Sequence, residues 1–426
     1  MTTYRNAAEL AFQRIIELVG SDNKVFDTGN GYWHQANTLD ACLEHLVMTQ
    51  QKDNYGLLKN AIKYVFDPRM IDSVTKKPVP PSDWAKWSYD GNGPWADDYG
   101  WWGNALMRAY EHRTVLGYDD NFAASILALA INCFNGLSGT WDSSEAVPGV
   151  SGGAWNHYNP NWALTGRNNV TNLVLWLLAQ ELTVQSDKDH KEPYLDRMNS
   201  EALFFSTADQ VGVLKNSKNL LLERLKGMSN GATFKVSNEP WYWIGDQGLY
   251  MRACLQNGRA GGIDYSTAAI AIEKDIRSMR DNDGVLHDNK CPNSDFNDDY
   301  ATGKGAVMRS YRYWLSSLYP GSQPADFSQF ILANASNVWL NRPWQTKSGS
   351  EQYQFSSNWN PKGKPYSADP YSGEPEFPND ALGVAPSKFS LLVCQVAGLE
   401  ALNAVFTLGD KILDQEISKQ AVSVMV

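Results

Sequence analysis

The feature that most constrains the fold is an alternation between two kinds of helical stretch. The segments 170–182 (VTNLVLWLLAQEL) and 389–405 (FSLLVCQVAGLEALNAV) are apolar on nearly every face, which indicates helices that are buried all round. Segments such as 265–281 (YSTAAIAIEKDIRSMRD) keep a polar face and are typical of outer helices. Six buried helices, each backed by an outer one, describe an all-α (α/α)6 barrel, and we expect residues 1–426 to form one such domain.

Hydrophobic periodicity predicts twelve helices along the chain. They cover 4–19, 37–48, 57–65, 98–113, 120–135, 168–184, 193–206, 243–256, 265–281, 303–318, 325–340 and 386–408. A short extra helix is predicted near 220–225. The six inner helices begin near 37, 98, 168, 243, 303 and 386, and each follows a loop rich in Gly, Pro and aromatic residues. If the inner helices run the same way, these loops meet at one end, where we expect the functional site.

Composition narrows the classes of partner. A formal net charge of −10 argues against nucleic acid, because phosphate binding depends on clustered Lys and Arg. No apolar run of about 18 residues suggests a membrane span. The five cysteines, Cys42, Cys133, Cys254, Cys291 and Cys394, form no CxxC pair, so we expect them to pack in the core rather than form disulfides or a zinc site.

The start of the chain leaves the location of the protein open. The segment MTTYRNAAELAFQ lacks the basic, apolar and small-residue pattern of a leader. Secretion or periplasmic export with a trimmed leader, and a cytoplasmic location, are both compatible with this start. The oligomeric state is also left open.

The loops before the inner helices are rich in tryptophan. They hold Trp33, Trp84, Trp87, Trp95, Trp155, Trp162, Trp241, Trp243, Trp344 and Trp359, most of the 16 Trp in the chain. Sugar rings have C–H faces that stack on indole and hydroxyls that bond to Asp, Asn and Gln, so the composition favours a carbohydrate ligand. The structural alternative is that these side chains plug the barrel mouth or hold long loops in place.

Two adjacent carboxylates, Asp97 and Asp98, open the second inner helix within the run PWADDYGWWGN. Glycosidases need two carboxyl groups, about 5 to 5.5 Å apart in retaining enzymes and about 6.5 to 9.5 Å apart in inverting ones. Neighbouring residues at a helix start can place their carboxyl groups along one edge of a cleft. The alternative is that Asp97 is a helix N-cap and Asp98 a first-turn charge, which together stabilise the helix by about 1 kcal/mol.

Several blocks of the sequence resemble glycoside hydrolase family 76, the endo-α-1,6-mannanases and their fungal cell-wall relatives. The stretch from Asp97 to Trp102 resembles the family signature Asp-Asp-x-x-Trp-Trp. Four other blocks resemble blocks of the family and follow the same order. The first is YWHQANTLD, with Trp33, Asn37 and Asp40, and the second is the GGAW loop, with Trp155, followed by RNNVTN from Arg167 to Asn172. The third is WYWIGDQG from Trp241 to Gly248, and the fourth is GKGAVMR from Gly303 to Arg309.

The resemblance implies an (α/α)6 barrel and a retaining mechanism without cofactor or metal, acting on an oligo- or polysaccharide such as α-1,6-mannan. Asp97 would be the nucleophile and Asp98 the general acid/base. The implied substrate-binding residues are Trp33, Asn37, Asp40, Trp102, Trp155, Asn168, Trp241, Trp243, Asp246, Gln247, Lys304 and Arg309. Gly245-Asp246 replaces the family's Tyr-Asn, and Gly303 replaces its Phe, so the sugar and linkage preference stay open.

Two other readings remain. The chain could be another (α/α)6 sugar enzyme, such as an unsaturated-uronyl hydrolase or a sugar epimerase, or it could be an inactive glycan-binding protein. The acidic segment 281–299 lacks the EF-hand spacing and predicts a turn-rich loop rather than a calcium site.

Overall fold

The computed structural model describes residues 4–19, 32–65, 95–157, 166–187, 189–228, 242–287, 297–316, 327–341, 343–345, 351–353, 355, 359–360 and 388–408. Most of these residues are helical, and the prediction of an all-α chain is confirmed. The helices are α1 (Tyr4–Val19), α2 (Tyr32–Thr49), α3 (Tyr55–Val65), α4 (Ala96–Glu111), α5 (Asp120–Ser138), α6 (Asn169–Gln185), α7 (Glu192–Gln210), α8 (Ile244–Arg259), α9 (Ser266–Ser278), α10 (Asn297–Ser316), α11 (Phe327–Leu340) and α12 (Lys388–Leu408).

Each of the twelve predicted helices has a counterpart among these elements, with ends that differ by a few residues. The short helix predicted near 220–225 is wrong. The backbone of this segment bonds to other parts of the chain instead: Leu222 N donates to Leu214 O at 3.0 Å, and Asn169 N donates to Glu223 O at 2.8 Å. These bonds replace the i to i−4 bonds that a helix would need.

The strands that the structure describes are short. Strands β1 (Glu145–Val147) and β2 (Val150–Ser151) form one antiparallel hairpin. Strands β3 (Pro343–Gln345) and β4 (Glu351–Tyr353) form another, in which Trp344 pairs with Gln352.

The chain divides into two compact units. The large unit is Ser21–Asp275, and the small unit joins Met1–Gly20 to Ile276–Val426. In the large unit, α4 packs against α2, α5 and α6, and α6 also packs against α7 and α8. In the small unit, α12 packs against α1, α10 and α11. The single domain over 1–426 stays a prediction.

Two glycines of α4 face apolar side chains of α6. A Cβ atom at Gly100 would overlap Val174, and one at Gly103 would overlap Leu178. Asn104 Nδ2 reinforces this contact by donating to Val174 O at 2.9 Å. The glycines therefore set the separation between α4 and α6.

Ion pairs are buried in the C-terminal halves of several helices in the large unit. Arg108 of α4 donates from Nε to Glu44 Oε1 of α2 at 2.7 Å, and Arg252 Nη2 of α8 lies 3.2 Å from Glu181 Oε1 of α6. Both carboxylates are almost fully buried. Burying these charges is tolerated because each has a cationic partner.

Four cysteines, Cys42, Cys133, Cys254 and Cys394, are free and buried, as expected for packing residues. Cys291 lies outside the described residues.

Two helical segments are long and apolar enough to cross a membrane by length and composition, so the expectation that no stretch would qualify is wrong. They are Asp120–Ser138 and Leu391–Leu408. In the second, 78% of the residues are buried by the chain itself.

The glycine contact between α4 and α6 gives a stability prediction. We expect Gly100→Ala to lower the free energy of unfolding by about 1 to 3 kcal/mol, because the new methyl group overlaps Val174. Gly100→Ala combined with Val174→Ala should recover part of this loss. Chemical denaturation followed by circular dichroism measures both variants.

Gly56→Ala is the matched control, because a Cβ at this α3 position meets no atom within 4 Å. It should be neutral or slightly stabilising, as alanine favours helix more than glycine does. A Gly100→Ala variant as stable as the wild type would contradict the proposed role of the glycine.

Candidate active site

The two adjacent aspartates occupy the first turn of α4. The N-cap position is held by Trp95, whose backbone is extended and whose side chain makes no capping bond. Ala96 N donates to Asn156 O at 2.8 Å, which fixes the start of the helix. The reading of Asp97 as the N-cap is therefore wrong.

Asp97 titrates near neutrality. The residue is partly exposed and Asp98 is buried. Burial of the Asp97 carboxyl group by the surrounding protein atoms raises its pKa to about 7. A hydrogen bond from its own backbone lowers the pKa, and the charge of Glu223 raises it further. Such a group can change its protonation state during a reaction at ordinary pH.

Glu223 is a buried carboxylate that the sequence analysis missed. It lies in the connection between α7 and α8, where Asn168 Nδ2 donates to Oε1 at 3.1 Å and Arg224 Nε donates to Oε2 at 2.9 Å. Its position within the apolar run from Leu220 to Leu225 was the available signal, since a carboxylate there is drawn into the core with its neighbours.

Asp246 lies in the first turn of α8 and has no exposed surface. Neither of its carboxylate oxygens has a hydrogen-bond partner among the residues that the structure describes. Burial, then the charges of Glu223 and Asp97, raise its pKa well above the ordinary value for aspartate. The surroundings of Asp246 therefore favour the protonated form of its carboxyl group.

Three indoles, from α2, from α4 and from the N-cap of α8, form a cluster. The Trp33 ring stacks on Trp101 with centroids 5.4 Å apart, and Trp243 meets both rings edge-on at 6.1 and 6.4 Å. Trp33 is partly exposed, whereas Trp101 and Trp243 are buried. Trp243 folds back over Gly245, where any side chain would overlap its ring, so the glycine makes room for the indole.

Trp102, which the sequence analysis assigned to substrate binding, has no exposed surface. Its neighbour Trp101 points instead into the indole cluster, because successive helix residues point about 100° apart. The assignment of Trp102 to substrate binding stays a prediction.

Asn37 and Asp40 of α2 are both buried. Asn37 Nδ2 donates to Trp33 O at 3.2 Å, which ties this asparagine to the backbone of the exposed indole. Asp40 contributes to the electrostatic field around Arg108.

Asn168 and Gln247 hold loops against helix starts. Asn168 is the N-cap of α6 and accepts from Thr171 N at 3.3 Å. Gln247 accepts from Leu221 N at 2.8 Å and donates to Leu221 O at 2.9 Å and Trp243 O at 3.1 Å. Both N–H groups of the Gln247 amide and its oxygen thus bond to backbone groups.

Trp155 is partly exposed, and its indole contacts Arg167 and Asp142. The Arg167 guanidinium lies 4.8 Å from the ring centre, and the indole Nε1 donates to Asp142 Oδ2 at 3.3 Å. Arg167 also bonds to Asp142 and to the carbonyl of Gly152. These contacts leave part of the indole open to solvent.

Lys304 and Arg309 belong to α10 in the small unit, and both are buried. The Lys304 ammonium lies 4.9 Å from the ring centre of Trp359, and Arg309 Nε donates to Glu400 Oε1 at 2.8 Å. Trp241 lies outside the described residues.

Within the described residues, no group of three or more His, Cys, Asp or Glu side chains could hold a metal ion. In the described part of the acidic loop, Asp281 accepts hydrogen bonds from the backbone N–H groups of Asp283 and Val285 and from Asn360.

Known structures of family 76 share this fold. The α-1,6-mannanase of Salegentibacter sp. HEL1_6 is similar over 95% of this chain and 100% of its own, with 17% identity and a TM-score of 0.63. A variant of that enzyme, inactivated by replacing two aspartates with alanine and solved in complex with α-1,6-mannotetrose, gives 16% identity, 95% and 99% coverage and a TM-score of 0.63. An α-mannanase from Bacteroides thetaiotaomicron gives 15% identity, 96% and 97% coverage and a TM-score of 0.61. The chain thus has the (α/α)6 fold of carbohydrate-active enzymes.

The model for glycosyl hydrolase family 76 matches residues 5–377. The chain belongs to this family and is a glycoside hydrolase. No curated protein matches it.

The bonds of Gln247 to the backbone give a second stability prediction. Gln247→Leu should lower the free energy of unfolding by about 1 to 3 kcal/mol for each backbone group left unpaired. It should also speed proteolysis near Leu221, which limited digestion followed by mass spectrometry measures. Gln210→Leu at the exposed end of α7 is the control, and equal effects of the two changes would refute the anchoring role.

Proposed function

We propose that the protein hydrolyses α-1,6-mannosidic linkages of mannan or a related α-glycan with retention of configuration, acting within the polysaccharide. One observation carries the proposal: consecutive carboxyl groups stand in the first turn of α4, whose N-cap is Trp95, and the same helix contributes Trp101 to the indole cluster. The similar mannanase whose inactive variant has two aspartates replaced supports the same pair.

In the proposed mechanism, Asp97 attacks the anomeric carbon while Asp98 protonates the departing glycosidic oxygen. The bond between the anomeric carbon and that oxygen breaks, and a glycosyl ester on Asp97 forms. Asp98, now ionised, removes a proton from water, which attacks the anomeric carbon and releases Asp97. Two inversions at one carbon leave the original configuration.

The proposed sugar contacts are divided between stacking and hydrogen bonding. Trp33 and Trp155 are partly exposed and would stack on sugar rings. Asp246 and Trp243 would supply hydrogen bonds. Asn168 and Gln247 act indirectly, by holding the connection that carries Glu223.

The carboxyl pair gives a direct test. Asp97→Asn and Asp98→Asn should each lower kcat on α-1,6-mannan by roughly two to four orders of magnitude with little change in thermal stability. Asp120→Asn, the same change in the first turn of α5, should leave activity unchanged. NMR of the first product should show the α-anomer. Near-normal turnover of either active-site variant, or a β-anomeric first product, would refute the mechanism.

The raised pKa of Asp97 predicts the pH dependence. Below about pH 7 this carboxyl group is mostly protonated and cannot act as a nucleophile. With Asp97 as nucleophile, kcat/KM should therefore rise as the pH increases through about 7. A fall in kcat/KM through the same pH, in steady-state kinetics over a pH series, would instead make Asp97 the acid/base and Asp98 the nucleophile.

A further inference from the structure

The connection between α5 and α6 begins as a hairpin whose open end carries Trp155. Trp155 N donates to Thr140 O at 3.1 Å, and Asp142 N donates to Gly153 O at 3.1 Å. Beyond these bonds the hairpin continues into strands β1 and β2. The hairpin therefore fixes the backbone of Trp155, whereas the residue is partly exposed.

Arg167 covers one face of this indole. The centre of its guanidinium lies over the Trp155 ring, 4.8 Å from the ring centre, where a cation is attracted to the ring face. Arg167 Nη1 donates to Ser144 O at 2.7 Å and to Gly152 O at 2.8 Å. The Arg167 side chain is only 2% exposed. The ring face that it covers is therefore closed to solvent, and the exposed surface of Trp155 belongs to the rest of the residue.

Asp142 holds the N–H edge of the same indole. Trp155 Nε1 donates to Asp142 Oδ2 at 3.3 Å, and Arg167 Nη2 donates to the same oxygen. The other oxygen, Oδ1, accepts from Ser144 N at 2.9 Å. One carboxylate thus joins the indole N–H to the cation on the ring face, and the ring is held both at an edge and at a face.

Asn156 connects this tryptophan to the start of α4. It follows Trp155 in the chain, and its backbone oxygen accepts from Ala96 N at 2.8 Å. Asp97 is the next residue after Ala96. Two backbone steps of about 3.8 Å and one hydrogen bond between them leave the Cα atoms of Trp155 and Asp97 no more than about 15 Å apart. One oligosaccharide can therefore reach both residues.

A ring held in this way is ready for a ligand before the ligand arrives. A side chain that is already ordered loses no rotamer freedom on binding, so less of the interaction free energy is spent on ordering it. An indole has a broad apolar face and a polar N–H edge. With the edge bonded to Asp142 and one face covered by Arg167, the opposite face is the surface left for stacking.

We propose that Asp142 and Arg167 are positioning residues that hold Trp155 as a platform for one hexose ring of the glycan, on the indole face opposite Arg167. The inference deepens the proposed function, because it names residues that prepare a sugar subsite near the carboxyl pair. The sugar as ligand rests on the proposed function, whereas the fixed orientation of the indole does not.

Steady-state kinetics on α-1,6-mannotetraose tests the role of Asp142. Asp142→Ala should raise KM about three- to tenfold, because the indole must then be ordered when the sugar binds, and should leave kcat within about twofold. Asp142→Asn sets an amide NH₂ group against two donors and should raise KM in the same direction. A lower kcat with an unchanged KM in both variants would overturn the positioning role.

A double-mutant cycle separates positioning from a general loss of stability. Because Asp142 acts through the indole, Asp142→Ala should change KM by less than about twofold when Trp155→Ala is already present. An effect of Asp142→Ala that is equally large with and without the indole would overturn the proposal. If Asp142→Ala does not fold, Asp142→Asn, which keeps an acceptor for Ser144 N, decides the same point.

Asp187→Ala is the matched control. Asp187 Oδ1 accepts from Asp189 N at 3.1 Å, the same local turn that Asp142 makes with Ser144, at an exposed position after α6. This change removes a carboxylate and its turn hydrogen bond, and it should leave KM unchanged.

Nitrogen-15 NMR of labelled indole groups tests the orientation of Trp155 without any substrate. The signal absent from Trp155→Phe belongs to Trp155. In Asp142→Asn this signal should move upfield and its N–H should exchange faster with water, whereas Asp187→Asn should leave it unchanged. An indole signal that Asp142→Asn does not alter would overturn the proposal. Failure of the proposed function would appear separately, as a wild-type protein without activity on α-1,6-mannan whose indole signal still responds in this way.

Discussion

The close contact between α4 and α6 determines where the reactive groups stand. Gly100 and Gly103 let α6 approach α4 at the level of Val174 and Leu178. The start of α6 is then near the start of α4, and its cap residue Asn168 holds Glu223 where its charge reaches Asp97. The electrostatics of the site therefore depends on packing between two apolar helix surfaces.

Buried ionisable side chains have different surroundings at the two ends of these helices. In their C-terminal halves the buried charges are paired, as in the contacts of Arg108 with Glu44 and of Arg252 with Glu181. In the first turn of α8, Asp246 is buried without a cation. The charged groups that act on Asp246 are two other carboxyl groups, and carboxyl groups with such surroundings are common at functional sites.

The sequence was sufficient for the helices because their apolar periodicity is long and regular. It was insufficient for the 220–225 segment, whose apolar residues suit a short helix but whose backbone groups find partners elsewhere. Glu223 and Trp101 were missed for a related reason, since their roles depend on neighbours distant in the chain.

The family resemblance identified the residue types at the site, but it did not identify the role of each residue. Trp102 belongs to the recognised signature but is buried in the core, whereas the adjacent Trp101 joins the indole cluster. Gln247 is predicted to bind sugar hydroxyls, and in the structure its amide bonds to backbone groups of Leu221 and Trp243. Only the folded surroundings decide whether a polar group is available to a ligand.

Two side-chain amides on the helices each bond to both the backbone N–H and the backbone carbonyl of one residue in a connecting segment. Gln247 does this to Leu221, and Asn172 does it to Ala154, accepting from its N–H at 2.7 Å and donating to its carbonyl at 3.2 Å. Each such pair of hydrogen bonds resembles the pair between two residues in a β-sheet, although no strand is present there. The connections are therefore attached to the helices one residue at a time, through side chains that belong to the helices themselves.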